Sequence, residues 1–224
     1  MQTQAASAER PVAHKAHDRL TIISDLGRFA VFDGAGNPFA STLAQNVFNK
    51  MHESEQLPTL RRTFAMIQDL LLRRLNGQML TTGTAAGIRH DKVSATTWLD
   101  YAHAGDSSLV IHDHTTGATT KLTRDDSFRD PATGITFAPN FLGAAGHTLE
   151  QCNTIPLPRR ATLALFTDGI TDDTHPRRGL QDSTLEMIMA SQDTPTAKAR
   201  AILGGSRIND DASVIVIEHS AVSP

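Results

Sequence analysis

The chain has 224 residues, 24 acidic against 21 basic side chains for a formal charge of −3, 39% hydrophobic residues and one cysteine. It is long enough to bury a core, and these values exclude a disordered tail, a disulfide framework, a cysteine-caged zinc or iron–sulfur site and the basic face of a dedicated nucleic-acid binder. No apolar run reaches the roughly 20 residues of a membrane helix, and the opening MQTQAASAERPVAHK has no apolar block behind a basic head, so a cytoplasmic protein without a membrane partner is expected.

Residues 1–14 are small and polar and read as an edge strand or a loose arm. Two apolar runs, 20–23 and 29–32, flank Asp25-Leu26-Gly27 as a hairpin. The second run stops at the turn formers Asp33-Gly34-Ala35-Gly36-Asn37-Pro38. Leu43, Val47 and Met51 at spacing four predict a helix over 39–52. Leu60, Phe64, Ile67, Leu71 and Leu75 predict a longer amphipathic helix, closed at Gly77 and carrying its arginines on a solvated face. Strands are predicted at 93–103, 108–112, from 118 onward, 162–167 and 212–217, with Asp113–Gly117 as a turn. Helices are predicted at 182–192 and 195–204. Residues 125–147 are punctuated by Gly and Pro and show no period. Helices are grouped rather than alternating with every strand, which predicts an α+β fold of antiparallel sheets in a single domain over 1–224.

The chemistry sits where apolar strands meet aspartates. Phe29–Phe32 runs into Asp33-Gly34. The run 163–166 leads through Thr167 to Asp168-Gly169, and Asp210-Asp211 opens the strand 212–217. A weaker case is Gly105-Asp106-Ser107. One Asp-Gly alone reads as a turn. Several carboxylates converging at buried strand ends would repel one another and resist ionisation, and no arginine or lysine stands beside them in sequence. A divalent cation resolves that conflict, and oxygen-only ligands select a hard ion, magnesium or manganese.

Taken in order, these segments resemble the type 2C family of metal-dependent protein phosphatases. Asp33-Gly34-Ala35-Gly36-Asn37 is similar to its Asp-Gly-x-Gly-Gly element, Gly83-Thr84-Ala85 to Gly-Thr-Thr, and Gly105-Asp106-Ser107-Ser108 to Gly-Asp-Ser-Arg. Leu122-Thr123 resembles the Leu-Thr that follows. Thr167-Asp168-Gly169 resembles Ser-Asp-Gly, and Asp210-Asp211-Ala212-Ser213 resembles the closing Asp-Asp-x-Thr. The form Thr167-Asp168-Gly169-Ile170-Thr171-Asp172 is similar to the bacterial sporulation and stress-response branch. The resemblance implies a four-layer α-β-β-α sandwich of two antiparallel sheets flanked by helices. It implies two metal ions bridged by Asp33, with Asp168 and Asp210 on the first, the Gly34 carbonyl on the second, and Asp106 helping to hold a weaker third. The implied reaction is hydrolysis of phosphoserine or phosphothreonine in a protein by a metal-bridging water, with a cognate serine/threonine kinase or its targets as partners.

The pattern is broken at the amino-terminal end. The family's Asn-Glu-Asp falls on Ala16-His17-Asp18, so His17 stands in for an acidic metal ligand beside Asp18. The upstream phosphate-binding arginine falls on Ala13, leaving Arg10, His14 or Lys15 as substitutes. Asn37 takes the place of a glycine and is expected to accept a left-handed backbone. These departures raise a rival reading, a pseudophosphatase that binds a phosphoprotein or regulator without turnover. A second rival is an N-terminal-nucleophile hydrolase processed at Thr81-Thr82-Gly83. His112-Asp113-His114 reads as a solvated loop, and Cys152 as a buried small apolar side chain.

Overall fold

The apolar runs pair into two five-stranded antiparallel sheets in a computed structural model that describes residues 2–12, 16–53, 58–75, 79–126, 128–129, 136–137, 140–146, 149, 151–171, 179–207 and 209–221. The first sheet is ordered β1 (Gln2–Arg10), β14 (Ala212–Ser220), β13 (Arg160–Phe166), β8 (Ser108–Asp113), β9 (Ala118–Lys121). The second is ordered β12 (Gln151–Pro156), β7 (Thr96–Ala104), β6 (Gly83–Asp91), β3 (Arg28–Phe32), β2 (Arg19–Ile23). Two short pairs join β4 (Gly34–Ala35) to β5 (Leu80–Thr81) and β10 (Phe128–Arg129) to β11 (Thr136–Phe137). The helices are α1 (Pro38–His52), α2 (Leu60–Leu75), α3 (Asp168–Thr171), α4 (Asp182–Ala190) and α5 (Pro195–Gly205). No helix among the described residues is long and apolar enough to cross a membrane.

Side chains alternate across each strand, so a strand covered on both faces reads as a continuous apolar run. Between the sheets, Phe29, Val31 and Leu99 meet Leu109, Leu163, Leu165, Ile215 and Ile217. On the outer face of the second sheet, Ala30, Phe32, Ala85 and Ala102 pack under Ala44 and Phe48 of α1 and Phe64 and Leu71 of α2. On the outer face of the first, Ala164, Phe166, Val214 and Val216 pack under Leu185, Met189, Ala199 and Ile202. These are the four α-β-β-α layers that the resemblance implied.

Several local expectations are refined. The amino-terminal segment is an edge strand, with β1 pairing antiparallel to β14 from Gln2↔Ser220 to Arg10↔Ala212. The strands β6 and β12 carry Gly, Ala and polar residues and gave no apolar signal, yet β6 pairs with both β3 and β7. Asn37 is extended (φ −157) and caps α1 by accepting from the Phe39 amide at 2.8 Å, while Gly36 takes the left-handed conformation (φ 72). Cys152 is half-buried on β12. Gly77 and much of 125–147 lie outside the described residues.

Under the second sheet, Phe32 meets Phe48 at 6.0 Å and Phe64 at 6.3 Å between ring centroids. Truncating a fully buried phenylalanine costs about 3–5 kcal/mol, so Phe32→Ala should lower unfolding stability by that amount in denaturant titrations. Burial also depresses the imidazole pKa of His52, His103, His114 and His219 below 6.5. A group with a depressed folded pKa binds more protons when unfolded. Stability is therefore full above 6.5 and falls as the pH drops below it. The thermal midpoint should decline between about pH 6.5 and 5, and His103→Gln should flatten part of that decline.

Candidate metal centre

The end of β3 is where carboxylates from distant segments meet. Main-chain bonds fix Asp33: its carbonyl accepts from the Thr82 amide at 2.8 Å and the Thr81 hydroxyl at 2.7 Å. The Thr82 hydroxyl bonds Ser107 at 2.6 Å, which ties Asp33 to the turn carrying Asp106. Thr81 and Thr82 are thus buried braces of this centre, which is at odds with an exposed, processed nucleophile.

Desolvation raises the Asp33 carboxyl well above its ordinary 3.8, followed by the charges of Asp168, Asp18 and Asp106 and a hydrogen bond to Asp18. Asp18 is likewise pushed up by burial, opposed chiefly by the Thr167 hydroxyl, which donates to its Oδ2 at 2.8 Å. The other oxygen of Asp18, Oδ1, is buried without a hydrogen-bond partner. Thr167 links three elements, since its Oγ1 also accepts from the Ser213 amide at 3.0 Å while its own amide donates to the Ser213 carbonyl at 3.1 Å.

Asp168 opens α3, and the following glycine sets its position. A Cβ on Gly169 would lie 1.8 Å from the Asp211 carbonyl oxygen, so only glycine lets α3 lie against the loop before β14. Gly34 is required for a similar reason, since its Cβ would lie 2.4 Å from the Asn37 carbonyl oxygen.

The structure therefore gathers Asp33, Asp18, Asp168 and Asp106. Asp210 is half-buried, with Oδ1 accepting from the Asp211 amide at 2.9 Å. His17 is half-buried, and its main chain is anchored by donation to Asp211 and by acceptance from the Ser41 hydroxyl. Arg10 lines a cavity of about 200 Å³ beside Asp18 together with Arg19. Its guanidinium donates to the carbonyls of Ser206 at 2.7 Å and of Leu203 and Gly169 at 3.4 Å. Lys15 and His14 lie outside the described residues.

Sequence reasoning gave no separate role to Asp211. It is buried, and its carboxylate accepts from the amides of Val12 and His17 at 2.6 Å each, clamping both ends of the segment that precedes Asp18. Its only signal was being the second acid of an Asp-Asp pair opening an apolar strand. Thr167 gave no signal beyond its place before Asp168.

Among the described residues, no three His, Cys, Asp or Glu side chains close tightly enough to form a ready ligand cage. The donor set nevertheless fits a hard cation: oxygen atoms only, an orphaned buried oxygen on Asp18, and a carboxyl at Asp33 whose ionisation burial and neighbouring charge oppose.

A family model described as "Stage II sporulation protein E (SpoIIE)" matches residues 33–220. No curated protein matches. Among solved structures, PppA of Pseudomonas aeruginosa, described as a key regulatory component of T6SS, is similar with a TM-score of 0.75 at 20% identity over 97% of each chain. The PPM Ser-Thr phosphatase MsPP of Mycobacterium smegmatis is similar with a TM-score of 0.72 at 18% identity over 99% of each chain. A catalytic domain of the serine threonine protein phosphatase PstP, solved with 2 manganese ions, is similar with a TM-score of 0.70 at 19% identity, covering 98% of this chain and 99% of that one. At these identities the likeness is one of fold.

Without a cation, burial and the neighbouring carboxylates favour the protonated form of Asp33 in the fold over that in the unfolded chain. That contribution is full below 3.8 and fades as the pH rises through the elevated folded value. In EDTA, Asp33→Asn should therefore raise the thermal midpoint at neutral pH. Manganese should raise the midpoint of the wild type and leave the variant unchanged. Ala16 is left-handed (φ 48), a conformation disfavoured for alanine. Ala16→Gly should stabilise the protein by up to about 1 kcal/mol in chemical denaturation.

Proposed function

The chain belongs to the stage II sporulation protein E family and has the fold of PPM Ser/Thr phosphatases, and on that footing we propose that it hydrolyses phosphoserine or phosphothreonine in a protein substrate. One observation carries the reading: Asp33 is crowded by Asp168, Asp18 and Asp106, three carboxylates that lie far from it in the chain or are brought to it by the fold. In this reading Asp33, Asp168, Asp210 and the Gly34 carbonyl hold two magnesium or manganese ions. Asp106 contributes to a weaker third site, with Asp18 and His17 alongside. When bound, the ions lower the pKa of a water and neutralise charge on the phosphoryl oxygens.

The remaining work belongs to the chain. Thr167 holds Asp18 through a buried hydroxyl bond, so that its free oxygen stays within the cluster. Asp211 fixes the path of the amino-terminal segment that forms one wall of the cavity. Arg10 and Arg19 give that cavity a positive rim suited to a phosphate ester, with Arg10 already oriented by the carbonyls at the end of α5. The targets of a serine/threonine kinase are the corresponding substrates.

A second reading is favoured by the same arginine. Its guanidinium is committed to three carbonyls, and His17 replaces an acidic ligand, an arrangement suited to a regulator that binds without turnover. PppA, a fold relative, is itself described as regulatory.

Steady-state hydrolysis of p-nitrophenyl phosphate and of a phosphothreonine peptide with manganese separates the two readings. Turnover that falls by about 100-fold or more in Asp33→Asn and in Asp168→Asn supports the phosphatase. Binding of manganese by calorimetry with no turnover on either substrate supports the regulator.

A further inference from the structure

Asp106 follows a glycine, and a glycine gives its own backbone little steric guidance. Gly105 is left-handed (φ 98), and a Cβ there would lie 2.8 Å from the Cβ of Thr82. Its carbonyl belongs to the peptide that leads into Asp106. The direction of that carbonyl therefore sets the backbone from which the Asp106 carboxylate projects, and hydrogen bonds rather than side-chain bulk must hold it.

Two donors do so. The Asp126 amide reaches the Gly105 carbonyl at 2.7 Å, and His103 Nε2 lies 3.0 Å from it. The same nitrogen is 3.1 Å from the Arg124 carbonyl. His103 is 1% exposed near the end of β7, on the strand face that Leu99 and Tyr101 turn toward the core between the sheets.

The neighbours of the ring determine where its proton sits. Carbonyl oxygens only accept, so Nε2 carries the hydrogen. Burial lowers the imidazole pKa below 6.5, against the opposing pull of Asp126 and the two carbonyls, so the ring is neutral at pH 7. Nδ1 is then an acceptor, and the Thr84 hydroxyl, 2.8 Å away, donates to it. Thr84 stands opposite His103 in the β6–β7 pair, and Gln151 stands opposite it on β12. Gln151 donates from Nε2 to the Arg124 carbonyl at 2.6 Å and accepts the Arg124 amide at Oε1 at 2.7 Å. One row across the sheet thus fixes the tautomer of His103 and one of its two acceptors. On the other side of the turn, Ser107 bonds Thr82, whose hydroxyl accepts from the Asp33 amide at 3.3 Å.

We propose that His103 is a positioning residue for Asp106: its Nε2–H holds the peptide between Gly105 and Asp106 so that the Asp106 carboxylate stays with Asp33, and it thereby sets the affinity of the weaker cation site. The link to cation affinity rests on the metal-centre reading above, whereas the hold on the peptide does not.

Two measurements test it on the full chain. The first needs neither metal nor turnover. In EDTA at pH 7, nitrogen-15 spectra of the imidazoles should show His103, assigned by its absence in His103→Gln, as the Nε2–H tautomer. An Nδ1–H tautomer or an imidazolium there overturns the proposal. The second is calorimetry with manganese. His103→Leu should weaken the same binding event as Asp106→Asn by at least about tenfold, and the double variant should bind no more weakly than Asp106→Asn alone. His103→Gln, whose amide Nε2–H can reach the same carbonyl, should stay within about threefold of the wild type. If His103→Leu does not fold, Thr84→Val replaces it. That variant is close in shape, frees the ring proton to move to Nδ1, and should weaken the event by about threefold or more. Undiminished manganese binding by the folded variant of this pair overturns the proposal, as do losses that multiply in the double variant or a loss in His103→Gln as large as in His103→Leu. Manganese binding indifferent to Asp106→Asn refutes the metal reading of Asp106 instead, and the tautomer then decides the hold on the peptide by itself.

Discussion

Mutual repulsion of carboxylates held out of water is the constraint on which the functional end of this fold depends. Asp33, Asp18, Asp168 and Asp106 are anchored by different strands and turns, and burial together with their neighbours' charge pushes Asp33 away from ionisation. Such an arrangement opposes folding when no cation is present. It persists because the surrounding main chain over-determines it. The Asp33 carbonyl is held by Thr81 and Thr82, Asp18 by Thr167, and α3 is seated against Asp211 at a glycine. The stability of the sandwich maintains a cluster that is unfavourable while its charges stay unneutralised.

The same braces join the two sheets at one edge. Asp18 immediately precedes β2 of the second sheet, while Thr167 and Asp211 border β13 and β14 of the first. The segment between β1 and β2 therefore crosses from one sheet to the other and is pinned by Asp211 at Val12 and His17. Arg10 adds a second pin to the end of α5. Displacement of this segment would alter the Asp18–Asp33 contact directly, so the geometry of the cluster and the docking of the amino-terminal strand are coupled through named hydrogen bonds.

The sequence made the apolar skeleton readable because β3, β8, β13 and β14 are covered on both faces and appear as unbroken apolar runs, and because α1 and α2 carry regular stripes. It concealed β6 and β12. In β6, Gly87 is small so that Arg28 can lie across it, and β12 is an edge strand with exposed polar side chains. The aspartates at strand ends were visible as an Asp-Gly pattern, but their convergence depends on sheet order, which no local window contains. Asp211 was overlooked because its partners are main-chain amides, which carry no side-chain signature. Asn37 was misjudged in conformation: an asparagine after glycine suits either a left-handed turn or a helix cap, and Pro38 at the first turn of α1 decides for the cap.

The central claim is that folding gathers these aspartates around shared divalent ions. The most direct test is anomalous diffraction from a crystal of the full chain grown with manganese. The account predicts manganese peaks within coordination distance of the carboxylates of Asp33 and Asp168, with Asp33 touching more than one ion. Manganese bound elsewhere, with Asp33 and Asp168 holding no ion, would contradict it.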